Sequence, residues 1–151
     1  MNNSFIGIFK NDIVGVAILS WIIAQTLKVL FGVLREKRFN FKWFVGTGGM
    51  PSSHAAGVMA LATAVGIETG FNSISFAISF IFSLIVLFDA QSARRTIGTQ
   101  ASILNRIMDD IYWKKKIETD RLKELVGHTP VEVFAGAALG IVIAMLFYYY
   151  K

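Results

Sequence analysis

The chain has 151 residues, of which 54% are hydrophobic and 17% are charged, and its mean hydropathy is +0.56. So few charged side chains cannot cover the surface of a soluble domain, and the composition therefore favours a membrane protein. The absence of cysteine excludes disulfides and thiolate metal sites, and two histidines alone disfavour a structural zinc site. We expect one domain over residues 1–151, with no metal and no other cofactor.

Four apolar stretches follow one another along the chain. The first and the last are each about long enough to cross a bilayer as a helix, whereas the middle two reach that length only with their small and polar flanks. The stretches are Ile13–Leu34, Ala55–Ile67, Ile74–Phe88 and Val131–Tyr150. We predict an all-α integral membrane bundle of about four spans.

The net charge of +5 is unevenly distributed, since 12 of the 15 Lys and Arg residues lie within Arg35–Lys42 and Arg94–Lys123. With four spans, these two segments lie on the same side of the membrane, and the positive-inside rule places that side in the cytoplasm. We expect a multi-pass protein of the cell membrane with both termini outside. The basic segments suit anionic lipid head groups, and we expect no nucleic-acid partner.

The first predicted span carries two cations on one face. Lys28 and Arg35 are seven residues apart, close to two helical turns. A lysine inside a span faces a partner or a wet cavity, or it extends to the lipid head groups. An anion between the two cations, or the lipid phosphates, would relieve their repulsion.

A glycine-rich loop with a proline leads from Gly46 into the second predicted span. Ser52 or Ser53 can cap this helix, whose N-terminus then favours an anion such as phosphate. His54 follows in the first turn, where it could bind that anion or give it a proton. The alternative is an ordinary capped helix start with a surface histidine.

Polar residues return abruptly at the end of the third predicted span. Asp89, Arg94 and Arg95 could simply pair with each other and with lipid head groups. Alternatively, one arginine binds a phosphate through its planar guanidinium, and Asp89 orients that arginine or a neighbour. From Thr99 to Val126, apolar residues at helical spacing predict an amphipathic helix at the cytoplasmic surface.

The last span opens with a helix start signal. Thr129, Pro130 and Glu132 fit a T-x-x-E capping box with proline at the first helical position. Glu132 is also four residues after His128 and could bond one nitrogen of its ring. Helix capping and histidine orientation compete for one carboxylate, and the sequence leaves both open.

The four-span model brings the polar residues of separate segments to one face of the membrane. Several cations, a helix N-terminus and two histidines are typical of a phosphate site. Two histidines further suggest phosphoryl transfer, in which a neutral imidazole attacks phosphorus and a protonated one gives its proton to the leaving oxygen. The converging residues are Lys28, Arg35, Ser52, His54, Arg94, Arg95 and His128.

The order and spacing of these residues resemble the divergent branch of the type 2 phosphatidic acid phosphatase superfamily, which is related to vanadium-dependent haloperoxidases. That superfamily shares the motifs K-x6-R-P, P-S-G-H and S-R-x5-H-x3-D. Lys28–Arg35 is similar to the first motif, with Glu36 in place of the proline. Pro51–His54 is similar to the second, with Ser53 in place of the glycine.

The third motif is the most altered. His128 and Glu132 fit its end, with glutamate for aspartate, and the arginine lies far upstream at Arg94 or Arg95. The resemblance implies a nucleophilic His128, a general acid His54 and an orienting Glu132. It also implies a phosphate-binding set that comprises Lys28, Arg35, Ser52, Ser53 and one of Arg94 or Arg95.

We therefore predict a metal-independent membrane phosphatase that hydrolyses a phosphomonoester or pyrophosphate of a diacylglycerol or polyprenyl lipid through a phosphohistidine. One alternative is a membrane protein that binds or carries a lipid phosphate without cleaving it. Another is a scaffold whose charges only meet head groups. A homo-oligomer is compatible with the sequence.

Overall fold

The computed structural model describes residues 7–8, 10–37, 49–112 and 128–151. The side chains of 36, 92–99, 106 and 109–112 lie outside that description. Within these ranges the chain forms four long helices and no strand, in agreement with the predicted all-α class. The helices are α1 (Asp12–Glu36), α2 (Ser53–Thr69), α3 (Ile74–Tyr112) and α4 (Pro130–Tyr150).

Local capping interactions set where the helices begin and end. The Asn11 side chain accepts a hydrogen bond from the Val14 amide at the start of α1. The helix ends at Lys37, which adopts a left-handed conformation (φ 53°) and donates its N–H to the Val33 carbonyl. Both contacts satisfy backbone groups that a helix terminus leaves without a partner.

Helix α2 is the centre of the bundle, because it packs against each of the other three helices. Helix α4 also packs along α1 and touches α3 only briefly. In the part of the chain that is described, no Cα atom of α1 lies within 8 Å of a Cα atom of α3. The bundle is therefore closed on the α4 side and parted between α1 and α3.

Small residues let α2 and α4 approach until their backbones nearly touch. A Cβ atom added to Gly136 would meet the Ser52 carbonyl, and one added to Gly140 would meet the Ala56 carbonyl. Ala55 and Ala56 are buried in the same interface. Close packing of this kind replaces the hydrophobic effect as the force between helices in lipid.

Three of the described helices contain segments long and apolar enough to cross a membrane: Asp12–Arg35, Ile74–Gln91 and Pro130–Tyr150. Helix α2 has 17 residues and falls short of that length. It nevertheless reaches both ends of the bundle, since Ser52 contacts the start of α4 and Glu68 contacts its end. The predicted count of four spans is therefore approximate, with three candidate spans around a central helix.

The third helix is longer than predicted. Its 39 residues correspond to about 58 Å, well beyond the ~30 Å hydrocarbon core of a bilayer. We expected a span that ends near Phe88 and a separate surface helix from Thr99 to Val126, of which residues 113–126 lie outside the described ranges. The polar residues after Phe88 do not end the helix, because polarity alone breaks no helix and no proline occurs between Phe88 and Tyr112.

A polar cluster joins the helix ends at the other end of the bundle from Ser52. The Lys151 ammonium lies 2.5 Å from an Asp12 carboxylate oxygen and 3.8 Å from one of Glu68. The Tyr148 hydroxyl donates a hydrogen bond of 2.7 Å to Glu68. These contacts tie the start of α1 and the end of α2 to the end of α4.

Candidate functional site

Two histidines from distant parts of the sequence meet at one end of the bundle. The rings of His54 and His128 lie 6.3 Å apart between centroids, in an edge-to-face arrangement. His54 is in the first turn of α2, and His128 is two residues before α4 begins. The close packing of α2 against α4 is what brings them together.

His128 is held by two contacts, and one of its ring nitrogens is buried without a partner among the described residues. Its side chain is only 4% exposed, and its Nδ1 atom lies 3.3 Å from Glu132 Oε2. Its backbone N–H donates a 3.4 Å hydrogen bond to the Ala90 carbonyl of α3. Its Nε2 atom is buried without a hydrogen-bond partner in the described structure. A buried polar atom without a partner is costly, and it marks a place where a ligand can bind.

Glu132 both caps α4 and orients His128. Its Oε2 atom accepts a 2.8 Å hydrogen bond from the Thr129 N–H while it contacts His128 Nδ1. The Glu132 N–H donates to Thr129 Oγ1 at 3.2 Å, which completes the predicted capping box. One carboxylate oxygen thus serves both roles that the sequence left open. The cap therefore holds this oxygen in place beside His128.

Lys28 lies beside this pair although it belongs to a membrane-spanning helix. Its side chain is 7% exposed, and its charge acts on both His128 and Glu132. Gly49 packs on it: with φ at +93°, a Cβ at this position would lie 3.1 Å from Lys28 Cγ. The end of the glycine-rich loop therefore rests on the lysine stem, and a residue with a side chain would be both strained and crowded there.

The two serines of the second motif are buried. Ser52 caps α2, since its Oγ accepts a 3.3 Å hydrogen bond from the Ala55 N–H. Its own N–H donates to the Glu132 carbonyl at 2.9 Å, which locks the start of α2 to the start of α4. Ser53 is 2% exposed. The predicted capping by Ser52 is confirmed, and phosphate binding by Ser52 and Ser53 stays a prediction.

For the remaining predicted site residues, the structure gives only their positions along the helices and, for some of them, their exposure. Arg35 is exposed in the last turn of α1, two turns beyond Lys28. Asp89 is exposed and directly precedes Ala90, the residue that anchors His128. The backbones of Arg94 and Arg95 belong to α3, and their side chains lie outside the described part. The phosphate roles of Arg35, Arg94 and Arg95 and the orienting role of Asp89 stay predictions.

The surroundings of His128 favour its neutral form. Burial lowers the pKa of this imidazole below its ordinary value of 6.5, and the charges of Lys28 and His54 lower it further, against the opposing effect of Glu132. A neutral ring with a free Nε2 can act as a nucleophile at neutral pH. Within the described ranges, no three His, Cys, Asp or Glu side chains form a cluster that could hold a metal ion.

Sequence reasoning missed two parts of the site, and both involve the backbone. The Ala90 carbonyl anchors His128 from the middle of α3, and no side-chain pattern announces a carbonyl acceptor. The contact of Gly49 with Lys28 was not predicted either. The glycines before Pro51 indicate a loop there but not the residue that the loop contacts.

Comparison with known proteins agrees with this architecture. The model of the divergent PAP2 family matches residues 9–143. The chain is 39% identical over 140 residues to "Uncharacterized membrane protein YuiD" of Bacillus subtilis (strain 168), a match that covers 85% of this chain and 89% of that protein. No solved structure matches the chain. The chain is a membrane protein that belongs to the divergent PAP2 family.

Proposed function

We propose that the protein is a metal-independent phosphatase that hydrolyses the phosphate or pyrophosphate ester of a membrane lipid. The observation that carries this proposal is the buried, unpartnered Nε2 atom of His128, with His54 on one side and Lys28 on another. Membership of the divergent PAP2 family supports a relation to phosphatases.

The arrangement of the two histidines suggests a double displacement. His128 Nε2 attacks phosphorus, and the bond between phosphorus and the leaving oxygen breaks as His54 gives that oxygen its proton. A water molecule then attacks the phosphohistidine, and His54, now neutral, takes one of its protons. The nitrogen–phosphorus bond breaks, inorganic phosphate leaves, and both histidines return to their starting states.

The charge that the phosphoryl group carries in this reaction requires fixed positive groups nearby. Lys28 supplies one, since its charge acts on His128, and the N-terminus of α2 supplies the positive end of its helix dipole. Glu132 keeps His128 Nδ1 occupied, so the ring presents Nε2 to the phosphorus. Arg35 and one of Arg94 or Arg95 are candidates for the outer phosphate oxygens.

Phosphate release by the purified protein tests this function directly. In detergent with a metal chelator, we expect inorganic phosphate from phosphatidic acid or from a polyprenyl phosphate or pyrophosphate. A protein that binds these lipids without releasing phosphate from any of them is instead a lipid-phosphate binding or carrier protein. In that case the catalytic proposal is wrong.

We also propose that the site faces the cytoplasm, because the four-span topology places the basic segments Arg35–Lys42 and Arg94–Lys123 on the same side of the membrane as the site. The chain has no cysteine, so single cysteines can report its orientation. A membrane-impermeant maleimide should label Asn72→Cys, in the turn at the opposite end, in intact cells. It should label Lys115→Cys only after permeabilisation. The reverse pattern would contradict the orientation.

A further inference from the structure

The parting between α1 and α3 exposes a strip of α2 that leads to the candidate site. Three sides of α2 are covered: Ala56 faces α4, Gly57 lies on Trp21 of α1, and the Val58 carbonyl accepts a 2.8 Å hydrogen bond from Ser83 of α3. The side opposite α4 is left without a helix among the described residues, because α1 and α3 do not meet there.

The residues on this open side fall at helical spacing. His54, Val58, Leu61 and Val65 follow one another at intervals of four, three and four, which places them on one face of α2. Val58, Leu61 and Val65 are half-buried, and His54 at the top of the strip is exposed. We call the groove formed by these three apolar residues between α1 and α3 the α2 groove.

The dimensions of the α2 groove match one leaflet of a bilayer. The twelve residues from His54 to Val65 are eleven steps along α2, which rise about 16 Å along the helix axis. Half of the hydrocarbon core is about 15 Å thick. The groove therefore extends from the level of the two histidines to about the middle of the membrane. Its lower part is apolar and lies within the hydrocarbon core, where a polar ligand would lose its hydration.

We infer that the α2 groove binds a hydrocarbon chain of the lipid whose phosphate reaches His54 and His128. This inference rests on the proposed function and specifies how a lipid substrate is selected over a water-soluble one. The phosphate binds at the top, where Lys28 and the α2 N-terminus are positive, and the chain lies along Val58, Leu61 and Val65. Substrate then enters sideways from the leaflet on the site side, through the parting between α1 and α3.

A change in the α2 groove can be distinguished from a change in the catalytic site by how kcat/KM depends on the chain length of the substrate. We would compare long-chain phosphatidic acid with its dibutanoyl analogue, because the two share a head group and differ in chain length. Leu61→Trp, which fills the groove, should lower kcat/KM for the long-chain substrate at least tenfold relative to the dibutanoyl one. The control Ile85→Trp lies on the outer face of α3, where Ile85 is 62% exposed, and should leave the ratio unchanged.

Equal effects of Leu61→Trp on both substrates, or no effect on either, would overturn the inference. Should this variant fail to fold, as judged by its melting temperature in detergent, Val65→Trp at the lower end of the groove gives the same comparison. A wild-type protein that releases phosphate neither from these two lipids nor from polyprenyl phosphate or pyrophosphate refutes the proposed function, and the groove is then tested by binding.

That binding test uses phosphatidic acid with a photoactivatable diazirine in the middle of its chain, in phosphatidylcholine vesicles. The α2 groove predicts that irradiation labels the peptide containing Leu61, and that phosphatidylcholine with the same labelled chain does so at least tenfold less. Equal labelling by the two lipids would show that the groove only holds bulk lipid and would overturn the inference.

Discussion

Replacing His128 by alanine is expected to reduce phosphate release at least about 10³-fold, because the variant has no atom to form the bond with phosphorus. The melting temperature should change little, since Thr129 still provides the α4 cap and Glu132 still bonds the Thr129 amide. Phosphate release from phosphatidic acid at pH 7, by wild type and variant side by side, is the measurement.

His54→Ala serves as the comparison, because the rate of phosphate release that this variant loses should depend on the leaving group of the substrate. A general acid contributes about 10²–10⁴-fold, and its contribution shrinks when the leaving oxygen needs no proton. An aryl phosphate with an acidic phenol should therefore recover much of the rate in His54→Ala and none in His128→Ala. Equal recovery in both variants, or normal turnover in either, would contradict the assigned roles.

The pH profile gives the same assignment an independent test. Since burial and Lys28 lower the pKa of His128, the ring stays neutral and nucleophilic at pH 7. Activity that depends on the neutral ring should persist below pH 6.5 and decline only as the pH falls through the lowered pKa. Glu132→Gln removes the charge that opposes this shift, so the decline should begin at a still lower pH.

Replacing Gly136 by alanine is expected to destabilise the protein by about 1–3 kcal/mol or more, because the new methyl group overlaps the Ser52 carbonyl. Relief of that overlap requires α4 to move away from α2. The same movement separates His128 from His54, so activity should fall together with stability. Gly140→Ala, which meets the Ala56 carbonyl, should behave in the same way. Thermal unfolding in detergent and phosphate release are the two measurements.

Gly15→Ala is the matched control. Gly15 is also a helical glycine, but a Cβ there meets nothing within 4 Å. Alanine is favoured over glycine in a helix by roughly 1 kcal/mol, so this variant should be unchanged or slightly more stable. If Gly136→Ala and Gly15→Ala have the same melting temperature, the close approach of α2 and α4 is not what holds the site together.

Much of this architecture could be predicted because membrane spans and helix caps leave local signals. The apolar stretches indicated the bundle, and the T-x-x-E pattern indicated the cap of α4. The shared role of Glu132 could not be predicted, since it depends on one oxygen lying within reach of both the Thr129 amide and His128. The continuation of α3 past Phe88 was also missed, because a change in polarity was interpreted as a change in structure.

The pairing of the two histidines illustrates the same limit. Their convergence at one face followed from counting spans, whereas the distance of 6.3 Å depends on how closely α2 and α4 pack. That packing depends on Gly136 and Gly140, which in the sequence indicate only that close contact is allowed. The predicted spans therefore placed the two histidines at one face, and the backbone contacts determine how closely their rings approach.

The most direct test of the central claim is to trap the covalent intermediate. Wild-type protein mixed with ³²P-labelled phosphatidic acid, and quenched in alkali within milliseconds, should carry label that survives base and is lost in acid, as expected of a phosphoramidate. Peptide mapping should place that label on His128. The His54→Ala variant should accumulate more label than wild type if the substitution slows hydrolysis of the phosphohistidine more than its formation. Phosphate release without a labelled protein, or with the label on another residue, would contradict the account.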